Sequence, residues 1–304
     1  MNARLSKWCA TVGPVYFVAS PRASATQPID RLAIVSWNIH EGGGDVEELI
    51  RRLRLGEFTD GEPVAHFVLL LQEALRRDSR IPLSVPSEYP APRRIEGPSG
   101  FPGGIVHRFA LEGLAVLYAP SMRNGVNREI AEDRGNAIVS TLALRDPTLI
   151  ELPLERQRRV AIVSGVEGET QSGRRWRLGL VDVHLDTALA LLHGGPFDAR
   201  RRQAAALIEA LRSLAELNGD DGAAIVAGDF NAWRGSGEPA VKLLREEFAD
   251  SIDSNDAPTW TGPLGLHARL DRIFMRGQLK ASRVARLPSR FGSDHYPLLT
   301  VVEF

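Results

Sequence analysis

Short apolar segments alternate with polar stretches that contain glycine or proline along most of the chain, from about residue 30 onward. The apolar segments are four to nine residues long and rich in β-branched residues, which is typical of buried strands. We predict ten strands, at Leu32–Trp37, His66–Leu71, Leu114–Tyr118, Ala137–Leu142, Val160–Val166, Arg177–Val183, Ala223–Ala227, Leu270–Met275, Lys280–Arg286 and Tyr296–Phe304. Because one doubly wound sheet seldom needs so many strands, the pattern favours an α/β fold with two sheets packed face to face and helices outside.

Three helices are predicted between these strands, at Asp45–Leu55, Asp198–Leu217 and Glu238–Glu247. In the second helix, apolar residues from Ala204 to Leu214 repeat at helical spacing and give the helix one apolar face. The pair Asn218-Gly219 is a signal that ends a helix.

No shift in composition divides the chain, so residues 30–304 are predicted to form a single domain. Two stretches rich in turn-forming residues, Ser87–Arg108 and Asp253–Arg269, are predicted to be long surface loops. Loops of that length often carry function.

Residues 1–29 are predicted to be an N-terminal arm or a weak signal-like leader. Arg4 and Lys7 precede an apolar stretch, Trp8–Ala19, which Ala23-Ser24-Ala25 follows in the order of a secretory signal. The stretch is interrupted by polar residues, glycine and proline, so a cytoplasmic location is favoured over export. No later segment approaches the ~18 uninterrupted apolar residues of a transmembrane helix, so none is predicted.

Charge and cysteine content exclude several classes of protein and site. The 37 basic and 38 acidic residues give a formal net charge of −1, which provides no overall attraction to nucleic acid or anionic membranes. The single cysteine, Cys9, excludes an internal disulfide, a redox pair and a cysteine-based metal site. Any bound metal must therefore be held by oxygen or imidazole ligands.

Polar residues with chemical capability stand at the ends of six predicted strands. The C-terminal strand ends carry Asn38, Glu73, His184 and Asp229 with Asn231, and the N-terminal ends carry Asp271 and Asp294 with His295. If strands of the second group run antiparallel to those of the first, all six ends face the same way. A polar cluster at one edge of a rigid sheet is where catalytic groups are expected.

These residue types suit the metal-assisted hydrolysis of a phosphate ester. Glu73 and Asp294 offer carboxylates to a hard cation such as Mg²⁺, which keeps waters and substrate oxygens at its other positions. Asp229 beside Asn231 can orient and deprotonate the attacking water, and imidazole donors can stabilise the charge that develops. The chain lacks a His-Glu-x-x-His motif and a Walker-type loop, which argues against zinc-protease chemistry and that type of nucleotide hydrolysis.

Seven sequence motifs occur in order between about residues 30 and 304. They are Ser36-Trp37-Asn38-Ile39, Leu71-Gln72-Glu73, Arg134-Gly135-Asn136-Ala137-Ile138-Val139-Ser140, Val183-His184-Leu185, Gly228-Asp229-Phe230-Asn231, Leu270-Asp271-Arg272-Ile273-Phe274 and Gly292-Ser293-Asp294-His295-Tyr296-Pro297. This ordered set resembles the endonuclease/exonuclease/phosphatase superfamily, which has the deoxyribonuclease-I-like fold. The resemblance implies a four-layered α/β sandwich in which two packed mixed β-sheets are flanked by helices.

The resemblance also implies roles for individual positions. Glu73 resembles the main metal ligand, with Asn38 and Asp294 nearby, and the implied cofactor is Mg²⁺ or Mn²⁺. Asp229 resembles the residue that orients or activates the water, and Asn231 resembles its partner in holding the phosphate.

Four further positions follow from the same resemblance. His295 resembles the phosphate-binding imidazole, and Asp271 would position it, since a carboxylate fixes the ring tautomer and favours its charged form. His184 resembles the second histidine of deoxyribonuclease-I-like and sphingomyelinase-like members, and Asn136 resembles a substrate contact. His40 stands where abasic-site endonucleases carry Asp or Asn, which argues against abasic-site repair; we interpret it as a solvated loop residue.

The substrate is less constrained by the sequence. Trp260 and Trp233 lie in predicted loops, where they could stack on a base or a lipid head group or cover apolar surface, and Arg134 is one of several arginines that could form a phosphate-binding rim. We expect a monomeric, metal-dependent phosphodiesterase or endonuclease acting on nucleic acid. A phospholipid phosphoesterase of the sphingomyelinase type, or a phosphoinositide or sugar-phosphate phosphoesterase, is the enzymatic alternative. A catalytically silent binding module is the alternative of a different class.

Overall fold

A computed structural model describes residues 3–21, 28–85, 104–127, 130–187, 195–214, 222–250 and 257–304. Its helices are α1 (Ala3–Cys9), α2 (Val46–Arg54), α3 (Gly104–Leu111), α4 (Gly195–Arg212) and α5 (Pro239–Glu247). Its strands are β1 (Tyr16–Val18), β2 (Arg31–Asn38), β3 (Phe67–Arg77), β4 (Ala115–Asn127), β5 (Ile130–Ser140), β6 (Arg145–Glu151), β7 (Val160–Glu169), β8 (Arg175–His184), β9 (Ala224–Asp229), β10 (Ala249–Asp250), β11 (Trp260–Thr261), β12 (His267–Ala268), β13 (Asp271–Arg276), β14 (Lys280–Arg286) and β15 (Leu298–Glu303).

The strands form two large mixed sheets, as predicted. Within the described residues the first sheet has the order β1-β4-β5-β3-β2-β15-β14, and the second has the order β10-β13-β9-β8-β7-β6. The pairs β2–β3 and β8–β9 are parallel, and their neighbours in each sheet are antiparallel. Strands β11 and β12 form a separate two-stranded hairpin.

An apolar layer lies between the two sheets. It contains Ile34 and Leu70 of the first sheet and Leu180 and Ile225 of the second, all fully buried. Side chains alternate between the two faces of a strand, so the intervening residues of the same strands face outward. Because those residues are apolar too, each central strand is buried on both faces.

The outward faces of the sheets are covered by helices. Residues of the first sheet pack against Leu49 of α2 and Phe109 of α3, and residues of the second pack against Leu207 of α4 and Val241 of α5. The order of layers is therefore helix, sheet, sheet, helix. This confirms the prediction of a four-layered α/β sandwich.

The register of the strands brings the predicted chemical residues to one edge of the sandwich. Asn38, at the carboxyl end of β2, pairs with Gln72, where the parallel pairing of β2 and β3 ends. His184 pairs with Asp229 in the same way at the ends of β8 and β9. Strand β13 runs antiparallel to β9 and places Asp271 directly beside Asp229. The strand that carries Asp271 at its N-terminal end therefore runs antiparallel to its neighbour, as the prediction required.

The central strands of the first sheet are longer than predicted. Strand β3 continues past Glu73 to Arg77, and β4 and β5 extend over polar residues that suggested a loop in the sequence. In the structure, Arg76 pairs with Asp133 and Arg77 pairs with Glu132 across β3 and β5. These cross-strand ion pairs satisfy charged groups inside a sheet, which no apolar pattern could indicate.

Several elements lie where none was predicted. Strand β6 (Arg145–Glu151) is an edge strand of largely exposed residues, several of them charged, so it lacks the apolar run that marks a central strand.

The predicted loop Ser87–Arg108 was wrong from Gly104 onward, because α3 begins there; residues 87–103 lie outside the described residues. The predicted loop Asp253–Arg269 contains the β11–β12 hairpin. The end of the second predicted helix, with Asn218-Gly219, lies outside the described residues.

Part of the predicted N-terminal arm belongs to the first sheet. Strand β1 pairs with β4, with Phe17 opposite Leu117. Residues 3–21 thus contact the rest of the described chain. The division of the chain at residue 30 stays a prediction. The two predicted alternatives for residues 1–29, an arm or a weak signal-like leader, stay predictions. None of the helices in the described parts of the chain has the length and apolarity of a membrane span.

Replacement of Gly135 by alanine is expected to destabilise the first sheet. A Cβ at this position would lie 1.9 Å from the carbonyl oxygen of Ala119, so β4 and β5 would have to separate. We expect a loss of about 2 kcal/mol or more in the free energy of unfolding, measured by urea denaturation. Gly237→Ala is the control, because its Cβ would make only ordinary contact, at 3.9 Å. Equal stability of the two variants would contradict this account of β4–β5 packing.

Candidate active site

A cavity of about 590 Å³ opens at the edge where the strand ends meet. Nine of the eleven predicted site residues line it: Asn38, Glu73, Arg134, His184, Asp229, Asn231, Trp260, Asp294 and His295. The other two, Asp271 and Asn136, lie behind the cavity surface and are almost completely buried. The structure therefore brings together residues from both sheets, while their individual roles stay predictions.

The imidazole of His295 is held by Asp271. Its Nδ1 lies 2.8 Å from Oδ2 of Asp271, and both side chains are buried. Burial alone would lower the pKa of His295, but the carboxylates of Asp271, Asp229 and Asp294 outweigh it and raise that pKa to about 10. Burial raises the pKa of Asp271 to about 6, against the effect of His295. The pair is thus an imidazolium beside a carboxylate at neutral pH, with Nε2 free to face the cavity.

The backbone around His295 is fixed by its own motif. The Ser293 hydroxyl donates to the carbonyl oxygen of Asn38 at 2.7 Å and accepts from the backbone N–H of His295 at 3.0 Å. The indole N–H of Trp37 donates to the carbonyl oxygen of His295 at 3.0 Å. Thr259 accepts from the backbone N–H of Asp271 through its hydroxyl oxygen, also at 3.0 Å. The bonds of Ser293 and Trp37 tie the segment before β15 to the end of β2, and the bond of Thr259 fixes the start of β13.

The carboxylate of Asp229 lies at the centre of the polar groups. Its Oδ2 accepts from the Asn38 amide at 3.0 Å, and its Oδ1 accepts from the backbone N–H of Asn231 at 2.8 Å. The Nε2 atoms of His184 and His295 lie 3.5 and 3.8 Å from Oδ2. Two hydrogen bonds therefore orient the Asp229 carboxylate, and two imidazoles lie close to it.

His184 differs from His295 in charge. Burial, followed by the positive charges of Arg159, His295 and Arg134, holds its pKa well below the usual value. Its Nε2 is buried and has no hydrogen-bond partner among the described residues. A neutral ring beside Asp229 can therefore donate to or accept from a bound oxygen.

Glu73 reaches the cavity because β3 is interrupted there by a bulge. The pairing of β3 with β5 shifts register between Leu71 and Ala74, and Glu73 has a φ of 57°. Bulges of this kind re-aim a side chain next to active sites. The Glu73 carboxylate accepts from the backbone N–H of Glu41 at 3.1 Å and lies 3.9 Å from Nη1 of Arg134, which also pairs with Glu41.

Asp294 is oriented by two neighbours. Its Oδ2 accepts from the indole N–H of Trp260 at 2.9 Å, and its Oδ1 lies 3.1 Å from Nδ1 of His40. Burial would raise its pKa, but His40, His295 and Trp260 outweigh burial and lower that pKa to about 2. Asp294 is therefore a carboxylate at neutral pH.

The oxygen-rich side of the cavity fits a hard divalent cation. Glu73 and Asp294 supply carboxylates and Asn38 an amide oxygen, which is the donor set that Mg²⁺ and Mn²⁺ prefer. Burial raises the pKa of Glu73 despite the opposing effects of Arg159, His40 and His295, and a bound cation would offset that cost. Ligand atoms of Asp229, Asp271 and His295 also lie within 4.8 Å of one another, so these three residues could hold a metal ion too. We interpret them as an acid–base cluster, because Asp271 is already engaged by Nδ1 of His295 at 2.8 Å.

Asn136 does not line the cavity. Its amide N–H₂ donates to the carbonyl oxygens of Val160 and Asp182, both at 3.2 Å, between the two sheets. In this arrangement Asn136 links the first sheet to the second, and the predicted substrate contact stays a prediction.

Several residues that line the cavity were not predicted from the sequence. Arg159 lies in the cavity wall with 4% of its surface exposed, and its Nε has no hydrogen-bond partner among the described residues. Burial lowers its pKa, against Asp186, Glu73 and Asp229. Its one signal in the sequence is a position directly before β7. His40 is a turn residue with a partly exposed side chain, as interpreted, but it also lines the cavity and contacts Asp294.

The sequence model of the "Endonuclease/Exonuclease/phosphatase family" matches residues 35–295. This chain belongs to that family. The match spans all eleven predicted site residues, and it confirms the resemblance found in the sequence. Members of the family are in general phosphoester hydrolases that use divalent metals. None of the curated proteins matches the chain in sequence.

Solved structures of low sequence identity share the fold. An endonuclease/exonuclease/phosphatase from Beutenbergia cavernae is 16% identical, with a TM-score of 0.59 over 91% of this chain and 72% of that one. The human Nocturnin catalytic domain with a bound sulfate anion is 20% identical, with a TM-score of 0.54 over 95% and 97%. A functionally unknown conserved protein from Enterococcus faecalis is 19% identical, with a TM-score of 0.55 over 90% and 100%. At these sequence identities, the similarity concerns the fold alone.

Replacement of Asp271 by asparagine is expected to lower turnover, because the neutral amide no longer favours the charged form of His295. We expect a loss of ~10-fold or more in kcat for a phosphodiester substrate, with a thermal midpoint close to that of the parent. Asp250→Asn is the matched control, since the side chain of Asp250, in the same sheet, is only 3% exposed and pairs with Arg272 outside the cavity. Equal turnover in both variants would remove Asp271 from the site.

Proposed function

We propose that this protein is a divalent-metal-dependent phosphodiesterase, most directly a nuclease, that hydrolyses its substrate by in-line attack of a water molecule. The observation that carries the proposal is the contact network of Asp271, His295 and Asp229. It holds an imidazolium 3.8 Å from a carboxylate in a cavity that also contains Glu73 and Asp294. Such a pairing of an acid with a base suits the attack of water on an anionic ester.

In this mechanism Asp229 accepts a proton from the attacking water. It is available for this because its two oxygens are oriented by Asn38 and by the backbone of Asn231 rather than neutralised by an arginine. The Nε2–H of His295 faces the phosphate and stabilises the charge that develops on its oxygens. A divalent cation, when bound by Glu73, Asp294 and Asn38, would neutralise phosphate oxygens and stabilise the leaving oxygen.

The remaining polar groups of the cavity would bind and orient the ester. The Asn231 amide donates one N–H to the carbonyl oxygen of Leu185 at 3.0 Å, so its second N–H remains for a phosphate oxygen. His184, with its lowered pKa, offers a neutral ring on the other side of Asp229. Arg159 and Arg134 add positive charge to the cavity wall.

A nucleic-acid substrate is favoured by the charges and aromatic rings around the cavity. Four arginines line it: Arg123, Arg134, Arg156 and Arg159. Trp233 and Trp260 line it as well, with ring centroids 5.1 Å apart and planes at 76°, and Trp233 is 40% exposed. Arginines with adjacent aromatic rings suit the backbone and bases of a single strand.

A phospholipid substrate is the second candidate, favoured by the β11–β12 hairpin. This hairpin carries Trp260 at the cavity, and its turn carries Leu264, fully exposed, and Leu266, 58% exposed. Exposed apolar side chains beside a site suit contact with a membrane surface. A membrane substrate would require these leucines, whereas a soluble oligonucleotide would not.

The metal requirement and the acid–base pair can be tested together on a generic phosphodiester. We expect activity with Mg²⁺ or Mn²⁺ and its loss in a chelator. Asp229→Ala and His295→Ala should each lower kcat by ~10²-fold or more. Circular dichroism spectra of both variants should show that the fold is kept. Activity that persists in the chelator would contradict the metal role, and a variant with normal turnover would remove its residue from the mechanism.

A substrate panel separates the two candidates. We expect hydrolysis of single-stranded oligonucleotide or plasmid DNA to exceed hydrolysis of sphingomyelin or phosphoinositide vesicles under Mg²⁺. Leu264→Ser should leave the nuclease rate unchanged, because Leu264 lies in the exposed turn of the hairpin. Preferential vesicle hydrolysis that falls in Leu264→Ser would favour the phospholipid candidate over the nuclease.

A further inference from the structure

Residues 3–21 form part of the active-site cavity although they precede the residues that the family model matches, 35–295. Trp8 and Thr11 line the cavity together with Val85 and Met122. We call these four residues the N-terminal wall. The wall adds an indole ring and apolar side chains to a cavity that is otherwise lined mainly by charged and polar groups.

A buried ion pair attaches the N-terminal segment to the first sheet. Arg76 and Asp133 are both fully buried and pair across β3 and β5. Asp133 also accepts from the backbone N–H of Gly13 at 2.9 Å, and Arg76 donates to the carbonyl oxygen of Pro14. A Cβ on Gly13 would lie 2.5 Å from Nη2 of Arg76, so this close approach requires glycine.

A second arginine holds the end of α1 against β4. Arg123 donates to the carbonyl oxygens of Thr11, Pro82 and Leu83, and so links the two segments that supply Thr11 and Val85 to the wall. The Thr11 hydroxyl donates to the carbonyl oxygen of Trp8 at 2.8 Å, which fixes the turn after α1.

Helix α1 also reaches the second sheet. The guanidinium of Arg4 donates to the carbonyl oxygen of Arg156 at 3.3 Å, in the connection between β6 and β7. That connection contributes Arg156, Gln157 and Arg159 to the cavity. The N-terminal wall is therefore attached on one side to β4 and on the other to the arginine-bearing connection.

We propose that the N-terminal wall is a substrate subsite, in which the indole of Trp8 stacks on a base of the strand whose phosphate is cleaved. The inference rests on the proposed nuclease function. A strand bound with its scissile phosphate at His295 and Asn231 extends past the cavity arginines, which suit its flanking phosphates. The indole of Trp8, which lines the same cavity as Val85 and Met122, gives a base a flat surface to contact.

In this proposal Trp8 contributes to substrate binding and not to the chemical step. The test of the proposal therefore compares the effect of a Trp8 variant on KM with its effect on kcat. The two substrates are a short single-stranded oligodeoxynucleotide and methyl 4-nitrophenyl phosphate, a phosphodiester with no base. For Trp8→Ala we expect KM for the oligonucleotide to rise about tenfold while kcat, and kcat/KM for the small ester, stay within about twofold of the parent. Trp8→Phe should restore most of the binding, since it keeps a flat ring.

Two further variants separate stacking from loss of structure. Phe17→Ala is the matched control: Phe17 is an exposed aromatic residue of the same segment that does not line the cavity, and both substrates should be turned over as by the parent. Trp8→Leu keeps an apolar side chain without a flat ring and should bind the oligonucleotide as weakly as Trp8→Ala. Thermal midpoints of all variants report whether the segment stays folded.

The outcomes distinguish the subsite from the nuclease function itself. A parent enzyme that hydrolyses the small ester but not the oligonucleotide would overturn the proposed function. A parent that cleaves both, with an unchanged KM in Trp8→Ala, would overturn the subsite alone. An equal loss on both substrates in Trp8→Ala and Trp8→Phe would also overturn it, because the indole would then act on the fold or the chemistry rather than on a base.

Discussion

The apolar layer between the two sheets is the constraint on which the rest of the structure depends. Residues such as Ile34 and Ile225 come from distant parts of the chain, and their burial against each other fixes the separation of the sheets. The parallel pairs β2–β3 and β8–β9 then end at the same edge of the sandwich. Asn38 of the first sheet can donate to Asp229 of the second at 3.0 Å only because this packing is fixed.

The candidate site brings several acidic side chains close together, and their negative charge is compensated differently at the two sheets. On the second sheet, Asp271 and Asp229 are balanced by the charged form of His295, whose raised pKa is the electrostatic result of their proximity. At the first sheet, Glu73 and Glu41 lie near Arg134, and the pKa of Glu73 is raised by burial. The two halves thus suit different ligands, a phosphate near the imidazolium and a cation near the carboxylates.

Most of the fold and the identity of the motif residues could be predicted from the sequence, because central strands buried on both faces appear as continuous β-branched runs. Edge strand β6 and the outer parts of β3 and β5 could not, since their charged residues are satisfied by partners far along the chain. The side chain of Glu73 reaches the cavity because of a bulge in β3. That bulge is defined only by the pairing of β3 with β5. The place of Arg159 and Trp8 in the cavity could not be predicted either, because it follows from packing between segments.

The short strand β1 has a consequence beyond the cavity. Strand β4 spans thirteen residues, Ala115–Asn127, and β5 occupies only one of its sides. Tyr16–Val18 covers part of the other side, where unpaired N–H and C=O groups would otherwise be available to a strand from another molecule. Three residues of pairing, anchored by the contacts of Gly13 and Pro14, therefore also shield Val116–Tyr118 from pairing with a strand of another molecule.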